Sequence, residues 1–239
     1  MESNSTDSEQ PEQPESSVRR ATADELSEDQ ALALLKRSDV TAEALALLGR
    51  NPNALKSRKV ALALAIHHRT PRHIAIPTLR RLFIFDLMQV ALTPAVAGDI
   101  KRAAEEQILH RLESLTVGER ISLARRASGR VAAGLLLDAD IRVISTALDN
   151  SHLVEASVVT ALMKNDTLQT LFQQVSEHSK WSQRREVQIA LLRSEGIPLE
   201  SAIALARNFR SEFLREILPQ SRQSMIIEEK NSAVTGDSE

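Results

Sequence analysis

Three histidines lie close together in the sequence and could suggest a metal site. His67, His68 and His73 flank Pro71. Two zinc ligands on one helix usually stand four residues apart, because that spacing places both rings on the same face. The three histidines do not have this spacing, and the proline interrupts them. We therefore expect solvated or capping histidines, with a metal site as the alternative, and we expect no cofactor.

Two aspartates, Asp138 and Asp140, come nearest to a paired general acid and base. Side chains two residues apart point away from each other on a helix, so this spacing does not suit a shared proton. The segment is more typical of a junction between helices, with Asp140 near the N-cap of the second helix. We expect a structural role for both carboxylates, with catalysis as the alternative.

Motifs of common enzyme classes are missing from the sequence. It contains no Gly-rich phosphate loop, no Gly-x-Ser-x-Gly and no His-Glu-x-x-His. Seven glycines leave little material for a tight cradle, and the chain has no cysteine to serve as nucleophile, metal ligand or disulfide partner. We therefore predict that the protein is not an enzyme.

The single tryptophan, Trp181, lies beside two arginines in the segment KWSQRREV. Its ring could stack on a base or on a peptide proline, while Arg184 and Arg185 bind phosphates. The alternative, which we favour, is that the ring fills the gap between adjacent helical repeats. If the chain has a partner-binding site, these three residues, with Arg80 and Arg81, are our candidates for it.

Basic doublets recur along the chain, at Arg58-Lys59, Arg80-Arg81, Lys101-Arg102, Arg125-Arg126 and Arg184-Arg185. On one face of the protein they would form an anion-binding stripe that contacts phosphates without reading bases. Adjacent residues lie about 100° apart on a helix, however, so doublets are also typical of a solvated edge. The discriminating observation is whether Arg58, Arg80, Arg126 and Arg185 share one face.

Composition and charge divide the chain into a core and two tails. Of the 239 residues, 42% are hydrophobic, which is enough for a folded core. Residues 1–25 are mostly polar, and residues 220–239 are similar apart from Met225-Ile226-Ile227, so we expect both tails to be disordered. Residues 1–30 carry a net charge of −7 and residues 220–239 carry −2, which leaves +7 on residues 31–219 because the total is −2.

Neither a signal peptide nor a membrane span is predicted. The first twenty residues lack the basic start and the apolar stretch of a secretory signal. No later segment approaches the roughly 18 apolar residues that a spanning helix needs. We expect a cytoplasmic protein that does not insert into membranes, and the absence of cysteine is consistent with a reducing compartment.

Between the tails, apolar residues recur at spacings of three and four, which predicts short amphipathic helices. The pattern gives fourteen helices, over residues 27–37, 41–49, 55–68, 72–83, 85–92, 95–114, 117–127, 130–137, 139–148, 152–164, 167–178, 182–194, 199–209 and 211–218. The expected N-caps are Thr41, Thr70, Thr93, Thr116 and Ser151. Pro77 falls inside one predicted helix, where it removes a hydrogen bond, so we expect a kink or a break there.

The sequence also repeats at an offset of 127 residues. Residues 58–87 align with residues 185–214 without a gap, and nine of the 30 aligned pairs are identical. The identities fall on apolar helix positions and on an inter-helix proline, Pro71 in one copy and Pro198 in the other. The offset fits three units of HEAT or armadillo length, which is about 40 to 47 residues. We therefore predict an all-α fold, an α-solenoid of stacked short helix pairs, over residues 26–219.

Three strings carry a family resemblance: ALLGRNPNALKSRKVALALAIHHRTPRHIAIPTLRRL, LLDADIRVISTALDNSHLVEASVVTALMK and HSKWSQRREVQIALLRSEGIPLESAIALARNF. They resemble bacterial HEAT-like repeat proteins of the leucine-rich-repeat-variant kind. In that group short helices end in Asn-Pro or Thr-Pro, and a Trp precedes an Arg-rich helix start. The resemblance covers residues 39–219 and departs from the pattern at residues 95–137 and 195–198. It implies the fold and no particular activity.

Two functions fit such a fold. The first is a non-enzymatic scaffold for a protein or peptide, because stacked repeats bury a continuous core and leave a long accessible face. The second is nucleic-acid binding through phosphate contacts, including the base-excision chemistry of HEAT-fold alkylpurine DNA glycosylases. Those enzymes imply aromatic residues beside an acidic group, and this chain has one Trp, no Tyr and five Phe. The scaffold is our first expectation.

Overall fold

A computed structural model of the chain describes residues 26–37, 39–164, 167–194 and 196–218, together with Met225 and Ile227. Within these residues all regular structure is helical, which confirms the all-α class. The predicted tails lie outside the described residues except at two positions, both helical. Ile227 is buried there, whereas Met225 is exposed.

The described helices belong to two compact units, one ending at Ile108 and the other beginning at Leu109. The first unit contains α1 (Glu28–Lys36), α2 (Ala42–Arg50), α3 (Arg58–Ile66), α4 (Arg72–Leu79), α5 (Ile84–Leu92) and most of α6 (Gly98–Arg111). The second contains α7 (Val117–Arg126), α8 (Gly129–Leu135), α9 (Ile141–Leu148), α10 (Glu155–Leu162), α11 (Gln169–Glu177), α12 (Arg185–Arg193), α13 (Leu199–Ala206) and α14 (Ser211–Ile217). Short 3-10 helices follow α2 and α6, at Ala54–Lys56 and Leu112–Ser114.

These fourteen α-helices of the described residues correspond in order to the fourteen predicted ones, and the largest differences lie at the helix ends. Pro77 lies inside α4, which ends two residues later at Leu79, four residues before the predicted end. Proline has no N–H to donate to the preceding turn, so it weakens a helix that is already near its end.

The predicted caps are right at two positions and wrong at three. Thr41 and Thr116 accept backbone N–H groups at the starts of α2 and α7. The three wrong predictions are Thr70, Thr93 and Ser151, because α4 is capped by Pro71, Thr93 ends α5 instead of starting a helix, and α10 is capped by Val154. Thr70 instead donates its hydroxyl to the carbonyl of Leu64, at the end of α3.

Within each unit, a helix packs against its neighbour and against the next helix but one. In the first unit α3 contacts both α1 and α5, and α2 contacts α4. In the second unit α9 contacts α7 and α11, while α10 contacts α8 and α12. These contacts bury small and branched apolar residues on two sides of each helix, such as Ala44, Leu45 and Leu48 of α2. This packing is typical of stacked helix pairs.

The 127-residue repeat extends over five helices, further than the sequence match. Helices α1 to α5 begin at residues 28, 42, 58, 72 and 84. Adding 127 to each number gives 155, 169, 185, 199 and 211, which are the first residues of α10 to α14. The chain therefore carries two copies of one helix series at identical spacing, and a residue in the first copy can be compared with its equivalent in the second.

Helices that are next but one to each other are joined at both ends by polar contacts. At the N-terminal ends the contacts are ion pairs, such as Lys59 with Glu28 at 2.9 Å and Arg58 with Asp86 at 2.7 Å. At the C-terminal ends, Asn150 donates from Nδ2 to the carbonyl of Ala124 at 2.7 Å. The last carbonyls of a helix have no partner within it, so such side chains supply the missing hydrogen bonds.

None of the helices in the described part of the chain is both long and apolar enough to cross a membrane.

Gly129 provides a test of the close packing between α8 and the turn after α9. A Cβ on Gly129 would lie 2.2 Å from the carbonyl oxygen of His152, and a backbone atom cannot move aside without shifting the turn. We expect Gly129→Ala to lower the free energy of unfolding by about 1 to 3 kcal/mol, as overpacking does. The measurement is urea unfolding followed by circular dichroism.

The matched control is Gly118→Ala, in the first turn of α7. A Cβ at this position meets nothing within 4 Å. Alanine restricts the unfolded chain more than glycine does, so we expect no loss or a gain of about 0.4 to 1 kcal/mol. Equal stability of the two variants would contradict the close approach at Gly129.

Candidate functional site

The five predicted partner-binding residues are divided between the two units. Arg80 and Arg81 follow α4 in the first unit, and the other three lie at the start of α12 in the second. All four arginines are exposed, whereas Trp181 is only 2% exposed. Binding by these residues stays a prediction, but their surroundings indicate which of them can reach a partner.

The ring of Trp181 is part of the core of the second unit. Its Nε1 donates to the carbonyl of Leu148, the last residue of α9, at 2.8 Å. The ammonium of Lys180 lies 4.0 Å from the ring centroid on the outer side. This geometry supports the packing interpretation, because stacking on an external ring would require the indole to leave the core.

Arg184 and Arg185 both contact groups of their own chain. Arg184 Nη1 lies 4.0 Å from Glu155 Oε2. The guanidinium of Arg185 lies over the rings of Phe209 and Phe213, at 5.3 and 5.4 Å from their centroids. Cations over aromatic rings stabilise the fold, so these contacts explain Arg185 without a ligand.

The repeat shows that the position of Arg185 has a structural role in both copies. Its equivalent is Arg58, which pairs with Asp86 and also lies 4.9 Å over the ring of Phe83. The equivalent of Asp86 is Phe213, since 86 plus 127 is 213. One copy therefore holds the arginine with a carboxylate and a ring, and the other holds it with two rings.

Arg81 lies at a groove between α2 and α4, which we call the α2–α4 groove. The groove has a volume of about 250 Å³. Apolar atoms of Leu55, Ile74 and Pro77 line it, together with three exposed polar side chains, the cations Arg50 and Arg81 and the imidazole of His73. The groove therefore combines an apolar lining with positive charge.

The two helices approach closely because α2 has a glycine at the contact. A Cβ on Gly49 would lie 2.2 Å from Cγ2 of Ile74 on α4. On α4, the buried hydroxyl of Thr78 donates to the carbonyl of Ile74 at 2.8 Å. Contacts of the protein with itself therefore hold the groove in shape.

The second copy of the helix series differs in charge at the groove positions. Adding 127 to Arg50, His73 and Arg81 gives Glu177, Glu200 and Asn208. The helices of the second copy begin at the equivalent residues without these two arginines and this histidine. The helix series therefore forms without Arg50, His73 and Arg81. The charges of the two arginines are available for binding a partner.

The second unit has a groove of its own between α8 and α10. It has a volume of about 460 Å³, and small residues, Ala133, Gly134, Ala156 and Ser157, line it together with Arg130 and Lys164. Sequence analysis missed both grooves. The residues of each groove come from helices that are not adjacent in the chain, and only the periodicity of small residues could have indicated the second one.

The histidine cluster has the predicted capping role at one of its members. His67 Nδ1 accepts the backbone N–H of Arg69 at 3.2 Å, and its ring stacks on His68 at 4.9 Å. Burial lowers the pKa of His67, and the neighbouring His68 and Arg69 lower it further. Within the described residues, no three His, Asp or Glu side chains are grouped as a metal ion would require.

Asp138 and Asp140 form the predicted helix junction. Asp140 is the N-cap of α9 and accepts the backbone N–H of Arg142 at 2.9 Å. Hydrogen bonds from the side chain and backbone of Arg142 lower the pKa of Asp140 to about 2. Asp138 is paired with Arg120 at 2.8 Å. Both carboxylates therefore have structural partners.

The predicted anion-binding stripe involves both units. Arg58 and Arg80 belong to the first unit, and Arg126 and Arg185 belong to the second. Whether they share one face stays a prediction. The carboxylate of Asp86 already pairs with Arg58, which reduces the charge that Arg58 could offer to a phosphate.

Comparison with known proteins gives no match, whether to protein-family models, to curated proteins or to solved structures.

The hydrogen bond of Trp181 can be tested by replacing Trp181 with Phe. Phenylalanine keeps an aromatic ring but removes the N–H, so the carbonyl of Leu148 loses its partner. We expect the free energy of unfolding to fall by about 1 to 3 kcal/mol, the range for a buried group left unsatisfied. Urea unfolding followed by circular dichroism measures it.

The matched control is Lys180→Gln, which removes only the exposed cation over the ring. An exposed cation–π contact contributes about 0.5 to 1 kcal/mol, so the control should lose less than Trp181→Phe. In the wild type and the control, emission of the single tryptophan should be blue-shifted and should move to the red on unfolding. Red-shifted emission of the folded chain would contradict burial of the ring.

Proposed function

We propose that the protein is a non-enzymatic binding module whose α2–α4 groove receives an acidic segment of a partner protein. One observation carries this proposal. Two arginines and a histidine at the groove, Arg50, Arg81 and His73, are replaced at the equivalent positions of the second copy by two acids and an amide, although the helices begin at the same spacing.

The size of the groove favours a short stretch of polypeptide over a small molecule. Pockets for drug-sized ligands hold roughly 300 to 1,000 Å³ and enclose most of the ligand. The α2–α4 groove, at about 250 Å³, has room for one or two side chains. A partner peptide would place small apolar side chains against Leu55 and Ile74 and its carboxylates beside the cations.

Arginine suits the recognition of carboxylates. Its planar guanidinium can donate two parallel hydrogen bonds to one carboxylate, which gives orientation as well as attraction. Arg50 and Arg81 lie on different sides of the groove, one on α2 and the other after α4. An extended peptide between them could therefore be bound at two points.

The proposal includes the fold family that the sequence resembles. Packing of next-but-one helices within each unit and the 127-residue repeat support a HEAT-like solenoid of the bacterial leucine-rich-repeat-variant kind. A cytoplasmic location is part of the same proposal, and it is supported only by the lack of cysteine.

Nucleic-acid binding remains the second candidate function, supported by the basic doublets. Two observations make it weaker than peptide binding. Trp181 is buried, and the doublet Arg58-Lys59 is paired with Asp86 and Glu28. A binding experiment with a single-stranded oligonucleotide distinguishes nucleic-acid binding from peptide binding.

The experiment measures binding of fluorescein-labelled hexaglutamate to the full chain by anisotropy at low salt. We expect Arg81→Asn to weaken binding to an unoccupied groove by about tenfold, since loss of one charge-assisted contact of 1.4 kcal/mol corresponds to that factor. Asparagine is the residue at the equivalent position of the second copy, Asn208, so the substitution suits this helix end.

The matched control is Arg102→Asn, which removes one exposed arginine of α6 in the same unit, away from the groove. Its hexaglutamate affinity should equal that of the wild type. Equal weakening by both substitutions would indicate unspecific attraction and would count against the groove. If a single-stranded oligonucleotide binds more tightly than hexaglutamate and is insensitive to Arg81→Asn, the second candidate function replaces the first.

A further inference from the structure

The N-terminal segment contains a short repeat. Residues 9–15 read Glu-Gln-Pro-Glu-Gln-Pro-Glu, so that a glutamate stands at every third position. Proline favours the polyproline II conformation, which has three residues per turn and a rise of about 3.1 Å per residue. In that conformation Glu9, Glu12 and Glu15 would lie along one edge, about 9 Å apart, with the prolines on another edge.

We propose that residues 9–15 bind in the α2–α4 groove of their own chain and block it until a partner segment displaces them. The inference rests on the proposed function, because it assigns a regulation to the same groove. The charge and shape of the Glu-Gln-Pro repeat and the length of the connecting chain all suit this groove.

Charge and shape both favour this occupant. The repeat has three carboxylates on one edge, and the groove has two cations, Arg50 and Arg81, with the imidazole of His73 as a further polar group. Peptides rich in proline bind apolar grooves because little conformational entropy remains to be lost. Pro11 and Pro14 would meet the apolar lining of the groove, which includes Leu55 and Ile74.

The charge at the groove positions favours binding to the first copy of the helix series over the second. The equivalent positions in the second copy carry Glu177 and Glu200 in place of Arg50 and His73. Like charges repel a segment with three carboxylates, so the repeat has a reason to bind only at the α2–α4 groove.

The connecting chain is long enough for binding within one molecule. Ten residues lie between Glu15 and Leu26, so the connection of eleven Cα–Cα steps can span about 38 Å. Leu26 is buried and Ser27 caps α1, so the connection starts from a fixed point. Helix α1 packs on α3, and α3 packs on α2 and α4. Two packed helices lie about 8 to 10 Å apart, so the groove is two such steps away.

A tethered segment competes strongly even when its intrinsic affinity is low. A short flexible connection gives an effective concentration in the millimolar range. A segment with a micromolar dissociation constant would then occupy the groove most of the time. An external peptide would bind with an affinity reduced by the fraction of open molecules.

The test compares full-length proteins in the hexaglutamate assay. The variant carries Glu9→Gln, Glu12→Gln and Glu15→Gln, which removes the three carboxylates and keeps both prolines and the length. We expect it to bind hexaglutamate at least tenfold more tightly than the wild type. In this variant the groove is open, so Arg81→Asn should weaken hexaglutamate binding by about tenfold. In the wild type Arg81→Asn should weaken binding less, because it also weakens the block.

The control variant removes three other acidic groups of the same segment, by Glu2→Gln, Asp7→Asn and Asp24→Asn. Its net charge equals that of the test variant, and its affinity should stay within twofold of the wild type. If both variants gain equally, general charge repulsion explains the effect and the docking proposal is overturned.

The two proposals fail in different ways. Equal hexaglutamate affinity of the wild type and the test variant, with sensitivity to Arg81→Asn retained, overturns the block and leaves the groove as a binding site. No binding by any of the proteins overturns the proposed function. A block that weakens on dilution of the wild type would show that the segment of a second copy is the occupant, which also overturns binding within one chain.

Discussion

The fold depends on how short helices satisfy the hydrogen-bonding groups at their ends. The α-helices in the described part of the chain have seven to fourteen residues, so end groups form a large share of each helix. Side chains of later turns donate to some of these carbonyls, as Asn150 does to Ala124 and Trp181 does to Leu148. First turns are joined by ion pairs such as Lys59 with Glu28. Both kinds of contact link helices that are next but one to each other within a unit.

A framework of this kind separates the residues that hold the fold from those that can vary. Arg58 and Arg185 occupy one position of the repeat and keep a structural partner in each copy, a carboxylate and a ring in the first and two rings in the second. Arg81 and its equivalent Asn208 show the opposite behaviour, because the charge is present in only one copy. The internal repeat thus allows equivalent residues of the two copies to be compared within one sequence. The comparison identifies the α2–α4 groove, rather than Trp181, as the place where charge varies without loss of the helices.

Helix number and order could be predicted from the sequence because they depend on local periodicity and on caps such as Thr41 and Thr116. The residues that cap the other helices could not be predicted in the same way, and caps at Thr70, Thr93 and Ser151 were wrong. A threonine or serine at a turn can also end a helix, or donate its hydroxyl to the preceding helix, as Thr70 does to the carbonyl of Leu64. The boundary between the units, inside α6, has no local signal. Both grooves depend on contacts between helices that are not adjacent in the chain. The charged residues of the grooves can be found in the sequence, but the positions of the grooves cannot.

The charge distribution limits what electrostatics alone can do at the α2–α4 groove. Exposed charges more than about 8 Å apart are largely screened at physiological ionic strength. Attraction between an acidic segment and the +7 core can therefore speed encounter, but it discriminates poorly between one acidic peptide and another. Discrimination has to come from the apolar lining, from Leu55, Ile74 and Pro77, and from the placement of Arg50 at the end of α2 and Arg81 after α4. A partner that displaces a tethered segment must match this spacing better than the segment does, because it competes against a millimolar effective concentration.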